Sequence, residues 1–376
     1  MNLIIPERIP IGRSAEVDAA RRVALVAAAR ASALDREGAF PAEDIAELRD
    51  AGLLAAPLPL VLGGSGVGEP GMAGILLDVL AQIGRGSLPL GRLYEGHVNA
   101  LLLILRYADP SVRDRLAADA RAGHLFGVWN TQPEPGGLVL DGSTLAGCKS
   151  FASGAGWVTR PLVTARLPDG RQQMLVVDLD PGERADLSAW RVHGMRASAT
   201  GTLDFTGLRA GPEAFVGQPD DYFRQPFFSA GAWRFVAVQL GGIEAVFDAA
   251  RAHLRTTGRG GDPHQLARIG EAAIAVETAR LFVERAADLA GDASANPDQV
   301  VAYVNLARLA VERAGLDVLE RAQRSVGLAG FLQAHPLERL SRDLATYLRQ
   351  PGPDRALTSA AAHVLADPGP ADGLWR

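Results

Sequence analysis

From Ala15 to about Arg121 the apolar residues recur at helical spacing, most clearly in Val23-Ala24-Leu25-Val26-Ala27-Ala28-Ala29 and Ile45-Ala46-Glu47-Leu48. Glycine and proline break the pattern between Pro57 and Gly71. This predicts a helical domain over 1–122. From Leu125 to about Val216 the period shortens. Leu162-Val163-Thr164-Ala165, a turn at Pro168-Asp169-Gly170, and Met174-Leu175-Val176-Val177 read as a β-hairpin, and Thr202-Leu203-Asp204-Phe205 alternates polar and apolar. A β domain is expected over 123–218. From Trp233 helical spacing returns, with Ile243, Val246, Phe247, Ala250 and Leu254 on one face and Val304, Ala307, Val311, Ala314 and Val318 repeating at three and four. Such stripes bury against one another, which predicts an antiparallel helical bundle over 219–376. The expected class is mainly α with a central β domain, and the Pro/Gly-rich tail from Pro368 is expected to fray.

Composition narrows the class. The chain has 376 residues, 48% hydrophobic and 22% charged, enough for a large core in two or three units. A net charge of -5 with scattered basic residues argues against a nucleic-acid partner. Cys148 is the only cysteine, which excludes an intrachain disulfide and makes a cysteine-based metal site implausible, so no metal is expected. Lys149 is the only lysine, and no function is read from it. Residues 1–22 meet charges too early for a secretory signal, and no run approaches a membrane span, so a cytoplasmic location is expected. Gly66-Val67-Gly68-Glu69-Pro70-Gly71 matches a dinucleotide fingerprint in form, but Pro70 falls where the phosphate-binding helix should begin, which predicts a plain loop.

The stretch Ser325 to Gly352 carries more information. Its order, Gly327 and Gly330-Phe331, then Pro336-Leu337-Glu338-Arg339, then Arg342-Asp343, resembles the C-terminal helical segment of the acyl-CoA dehydrogenases. Further segments are similar to that family. They are Phe40 to Leu48 followed by Gly63-Gly64-Ser65-Gly66, Gly147-Cys148-Lys149-Ser150-Phe151-Ala152-Ser153-Gly154-Ala155, and Gly194-Met195-Arg196-Ala197-Ser198-Ala199-Thr200. The resemblance implies an N-terminal helical domain, a middle β-barrel and a C-terminal four-helix bundle. It also implies FAD as cofactor, a homodimer or homotetramer formed through the bundle, a small-molecule substrate such as an acyl-CoA, and an electron acceptor or flavin reductase as partner.

The same resemblance assigns roles by position. Phe151 would place its ring against the isoalloxazine and Ser153 a donor near N5 and O4. Thr131 takes the place of a strand-end threonine facing the flavin, although Gln132 stands where the family has an acid. The diphosphate-binding arginine of the family falls on Thr257, leaving Arg255 or Arg259 as substitutes. Gln323, Arg324 and Gly327 approximate the family's Gln-x-x-Gly-Gly.

One element is missing. The family's catalytic glutamate follows the Arg-Asp pair by eight residues, and that position is Pro351. A second position used by some branches falls in Ser229-Ala230-Gly231-Ala232-Trp233-Arg234, which has no acid. Dehydrogenation needs a base for the α-proton, so the candidates become Asp354, three residues past Pro351, and Glu95, with His97 beside it. Three functions follow in order of expectation: α,β-dehydrogenation of an acyl thioester with a relocated base, flavin-dependent monooxygenation, which needs no such base, and a flavin-binding subunit without turnover.

Overall fold

The computed structural model describes residues 14–375, so the reading of residues 1–22 as free of a signal lies largely outside the described residues. Among the described residues five α-helices come first: α1 (Ala15–Glu37), α2 (Ala42–Asp50), α3 (Ala73–Gly86), α4 (Leu88–Tyr107) and α5 (Pro110–Arg121). Local chemistry sets their ends. Ser14 Oγ accepts the Val17 N–H at the start of α1, and Gly38 ends it at φ 63. Ser87 Oγ accepts from Leu90 N, with Pro89 in the first turn of α4. Gly66 to Gly71 lie in turns with no strand before them, as expected for a plain loop.

Nine strands follow, in two sheets. The larger contains β1 (Phe126–Trp129), β2 (Val139–Asp141), β3 (Thr144–Ala146), β5 (Arg160–Arg166), β6 (Gln172–Val176) and β9 (Phe215–Val216), and the smaller runs β4 (Cys148–Ala152), β8 (Gly201–Asp204), β7 (Ala185–Asp186). The predicted hairpin is β5–β6, in register Leu162 with Val176 and Thr164 with Met174. The implied β-barrel takes the form of these two sheets.

Helix returns with α6 (Phe227–Ala230), α7 (Trp233–Thr256), α8 (Pro263–Gly291), α9 (Pro297–Val326), α10 (Pro336–Tyr347) and α11 (Pro353–Ala366). Val304, Ala307, Val311, Ala314 and Val318 are all buried within the chain, so this stripe is spent on the chain's own core. At two glycines the helical parts meet without an intervening side chain. A Cβ on Gly241 would stand 2.0 Å from the Ala81 carbonyl oxygen, and one on Gly84 2.3 Å from that of Val238, so α3 and α7 touch backbone to backbone. The tail from Pro368 does not fray as expected. Trp375 packs on Tyr303 and His363 while its carbonyl accepts from Arg285, because these groups offer a partner that local composition does not reveal.

Among the described residues no helix is long and apolar enough to cross a membrane, and no group of side chains could hold a metal ion.

Candidate functional site

The β4–β8 pair is irregular between Lys149 and Ala152. Within that irregularity Phe151 has φ 52 and is 68% exposed, and Met195 and Ala199 in the facing segment have φ 59 and 43. A non-glycine residue held at positive φ is strained, and such strain persists only where the surroundings impose it. Its effect is to present a flat apolar ring outside the sheet. Beside it a chain of hydroxyls converges. The single Ser198 Oγ proton serves Met195 O (2.8 Å) or Thr200 Oγ1 (2.8 Å), and Thr200 Oγ1 donates to Ser153 Oγ (3.3 Å). Ser153 also receives the Trp129 indole N–H on its carbonyl (3.0 Å). Its hydroxyl therefore accepts from within and has its own proton to offer outward.

The neighbouring segment is fixed by a residue to which the sequence gave no role. Lys149 is wholly buried, and its ammonium donates to Asn130 O (3.1 Å), Gln132 Oε1 (2.9 Å) and Thr164 Oγ1 (3.1 Å). Thr164 in turn donates to Asn130 Oδ1 (2.6 Å), and Ser150 N–H donates to Thr131 O (3.0 Å). Thr131 stays exposed at the end of this pinned segment. Burial pulls the Lys149 ammonium down to about 7. The only hint in the sequence was that one cation differs from all the others.

The Arg342-Asp343 pair has a structural task. Asp343 accepts Met195 N–H (2.7 Å) and pairs with Arg339 (3.0 Å), while Arg342 reaches Asp35 (2.6 Å), Glu338 (2.6 Å) and His193 O (2.9 Å). Burial raises the Asp343 carboxyl against the pull of Arg339. A Cβ on Gly194 would fall 2.0 Å from Arg342 O, so only glycine lets the β-domain segment lie on α10. The pair thus ties α1, the β domain and α10 together.

The candidate bases lie in contrasting surroundings. Asp354 is exposed in the first turn of α11, which packs on α9. Glu95 is buried on α4. Its two oxygens accept from Arg92 and Asn99, and Asn99 Oδ1 accepts from Arg234 Nε. Tyr347 and Tyr222 stand close enough to Glu95 and Arg92 to feel their charges, and burial first raises both phenols, Tyr222 to about 12. Glu95 therefore sits beside Arg234 of the acid-free stretch and beside the end of α10. His97 is committed elsewhere. Its Nδ1 accepts Phe126 N–H (3.1 Å), so Nε2 carries the proton and donates to Leu54 O (2.7 Å), and burial lowers the ring to about 4.

The phosphate candidates lie at the ends of the bundle helices. Arg259 Nη1 donates to Ser325 O (3.2 Å), which brings it to the turn where Gly327 has φ 72. Arg324 is exposed and paired with Glu320 (3.4 Å), and Arg255 is exposed near the end of α7. His253 and His335 meet at 3.2 Å.

Comparison with known proteins accords with this arrangement. Residues 15–124 match the acyl-CoA dehydrogenase N-terminal domain and residues 223–364 the acyl-CoA dehydrogenase C-terminal domain. The chain is 24% identical to a dibenzothiophene monooxygenase of Mycolicibacterium goodii, over 90% of this chain and 91% of that one. It is 28% identical to the amino sugar nitrososynthase DnmZ of Streptomyces peucetius, over 82% of each. The FMN-bound structure of TdsC from Paenibacillus sp. A11-2 superposes with a TM-score of 0.84 at 21% identity, covering 96% of this chain and 100% of that one. With both of its helical domains matched, the chain belongs to the acyl-CoA dehydrogenase family of flavoenzymes.

Proposed function

We propose that the protein is a flavin-dependent monooxygenase that works with FMN, a separate flavin reductase and dioxygen on a small-molecule substrate. One observation carries this reading: neither position at which the family's dehydrogenases hold a proton-abstracting carboxylate has one. Pro351 and the Ser229 to Arg234 stretch are without an acid, Asp354 is exposed, and both oxygens of Glu95 are already hydrogen-bonded. Removing an α-proton as hydride leaves requires a positioned base, whereas oxygen transfer does not. The chemistry a bound flavin supplies is delivery of two electrons to dioxygen, with one oxygen atom going to the substrate and the other to water. Several of the similar proteins are named dibenzothiophene monooxygenases, which supports this reading over acyl-thioester dehydrogenation.

The residues present fit a flavin. Phe151 offers its strained, exposed ring as a stacking surface, and Ser153 has an O–H for a polar ring edge. Thr131 lies exposed on the segment that Lys149 pins. FMN is favoured over FAD because donors for a diphosphate are few. Thr257 stands where the family has arginine, Arg324 is paired with Glu320, and Arg259 beside the Gly327 turn, with Arg255 exposed near the end of α7, suits one phosphate. The TdsC structure was solved with FMN, in keeping with this choice. Self-association through α8, which exposes Leu266, Ile274 and Leu281, belongs to the same reading.

The test has two arms. Apoprotein titrated with FMN and with FAD should bind FMN more tightly. The loaded protein, mixed anaerobically with acyl thioesters, should keep its flavin absorbance, while reduced FMN with oxygen and a reductase should support substrate oxidation. Bleaching by a thioester overturns the proposal in favour of dehydrogenation.

A further inference from the structure

Helix α4 carries a polar stripe, Arg92, Glu95, Asn99 and Arg106, at spacings that put the four on one face of a largely apolar, buried helix. Its charges do not balance. Arg92 pairs with Glu95, but Arg234 of α7 has no carboxylate within ion-pairing distance among the described residues, and its Nε goes to Asn99. Arg106 also lacks a carboxylate and lies 3.4 Å over the Phe227 ring. Arg92 and Arg234 thus flank one buried acid, Glu95. Burial pulls the Arg234 guanidinium down to about 10, the mark of a cation short of compensation. Tyr347 is 5% exposed, and its hydroxyl lies against Arg92 and Glu95 without an acceptor for its own proton. Buried polar groups without partners are rare and costly, and donors here outnumber acceptors.

Access is open. The Arg92 side chain keeps 30% of its surface and Arg234 is also partly exposed, whereas Glu95 behind them keeps 2%. Leu93, next to Arg92, reaches within 3.0 Å of the position a Cβ on Gly154 would take, directly after Ser153. One helix therefore adjoins both the cationic cluster and the flavin-facing strand.

We propose that Arg92, Arg234 and the Tyr347 hydroxyl form an oxyanion-binding subsite, so that the substrate oxidised beside Ser153 carries a carboxylate or sulfonate group. The second half rests on the flavin reading, and the first does not. A planar guanidinium presents paired N–H groups that match two oxygens of such an anion, and a phenol adds a third donor. Glu95 then holds and orients Arg92 and Asn99 and serves as a positioning residue.

The experiment compares isosteres. Benzoate against benzamide, and benzenesulfonate against benzenesulfonamide, are titrated calorimetrically into the FMN-loaded protein, and FMN affinity is measured on the same samples. Each acid should bind at least about tenfold more tightly than its amide. Arg234→Gln should bring the pair within about twofold and Arg234→Lys should restore part of the preference, while Tyr347→Phe should weaken only the acids, by roughly threefold. A purely structural network would change stability and leave the ratio alone. Equal binding of acid and amide, a preference that survives Arg234→Gln, or no binding of either acid up to about 10 mM would overturn the subsite. Failure to bind FMN would instead count against the flavin reading, and the acid–amide comparison on the protein alone would still decide the subsite.

Discussion

The β4–β8 edge and the turn from α10 into α11 are the two segments with the strongest family character, and they differ in what they keep. At the edge the residues of the proposed flavin site are in place and supported: Phe151 held out by a strained backbone, Ser153 fed by Thr200, and Thr131 on a segment pinned by Lys149. At the turn the support is in place without the reactive group. Asp343 and Arg342 bind the β domain and α1 to α10, yet eight residues on stand an exposed proline and glycine. An Arg-Asp signature thus reports how two domains are joined and says little about which reaction follows.

The sharpest way to break this comparison is Asp343→Ala. It strands the buried Arg339 and removes the acceptor of Met195 N–H, and should cost about 3–5 kcal/mol in chemical denaturation. A loss under about 1 kcal/mol would mean that the lock is not where stability resides. The next effect belongs to the seam between α4 and β1. His97 is lowered from 6.5 to about 4 by burial, so the unfolded chain binds its proton first as pH falls. Its contribution is whole above pH 6.5 and drains between 6.5 and 4, about 3 kcal/mol in all. His97→Gln should flatten that part of a stability–pH curve, and an unchanged slope would rule it out.

Lys149→Met tests the edge itself. Three acceptors lose their donor and the Asn130 to Gln132 segment its tether, so FMN affinity should fall by roughly tenfold, with about 1–3 kcal/mol of stability lost. Unaltered affinity would separate the lysine from the cofactor. The smallest effect is expected at the turn. Asp354→Asn, at an exposed helix start, should shift stability by no more than about 0.5 kcal/mol and leave turnover unchanged. A large loss of activity would return Asp354 to the chemistry.

The helix, strand, helix order was legible because its cause is local: Leu162 to Ala165 pairs with Met174 to Val176 across the predicted turn, and Val304 to Val318 line a core at helical spacing. The signature segments were legible for the same local reason. What was hidden depends on partners far along the chain. Lys149 takes its meaning from groups at 130, 132 and 164. The α4 stripe reads in sequence like an ordinary solvated face, and only the packing of α7 and α10 against it turns Arg92 and Arg234 inward. The tail beyond Pro368 misled because composition carries no record of Tyr303 or Arg285.

The backbone contact between α3 and α7 restricts how the molecule can breathe. With Gly241 against the Ala81 carbonyl and Gly84 against that of Val238, neither helix can slide along the other without lifting away. The N-terminal helices and the bundle then move as one block. The β domain is fastened to that block by separate side-chain hydrogen bonds, among them His97 to Phe126, Asp343 to Met195, Arg342 to His193 and Arg160 to Asp119. Weakening those fastenings should loosen the β domain, read as amide exchange, before it loosens anything in the bundle.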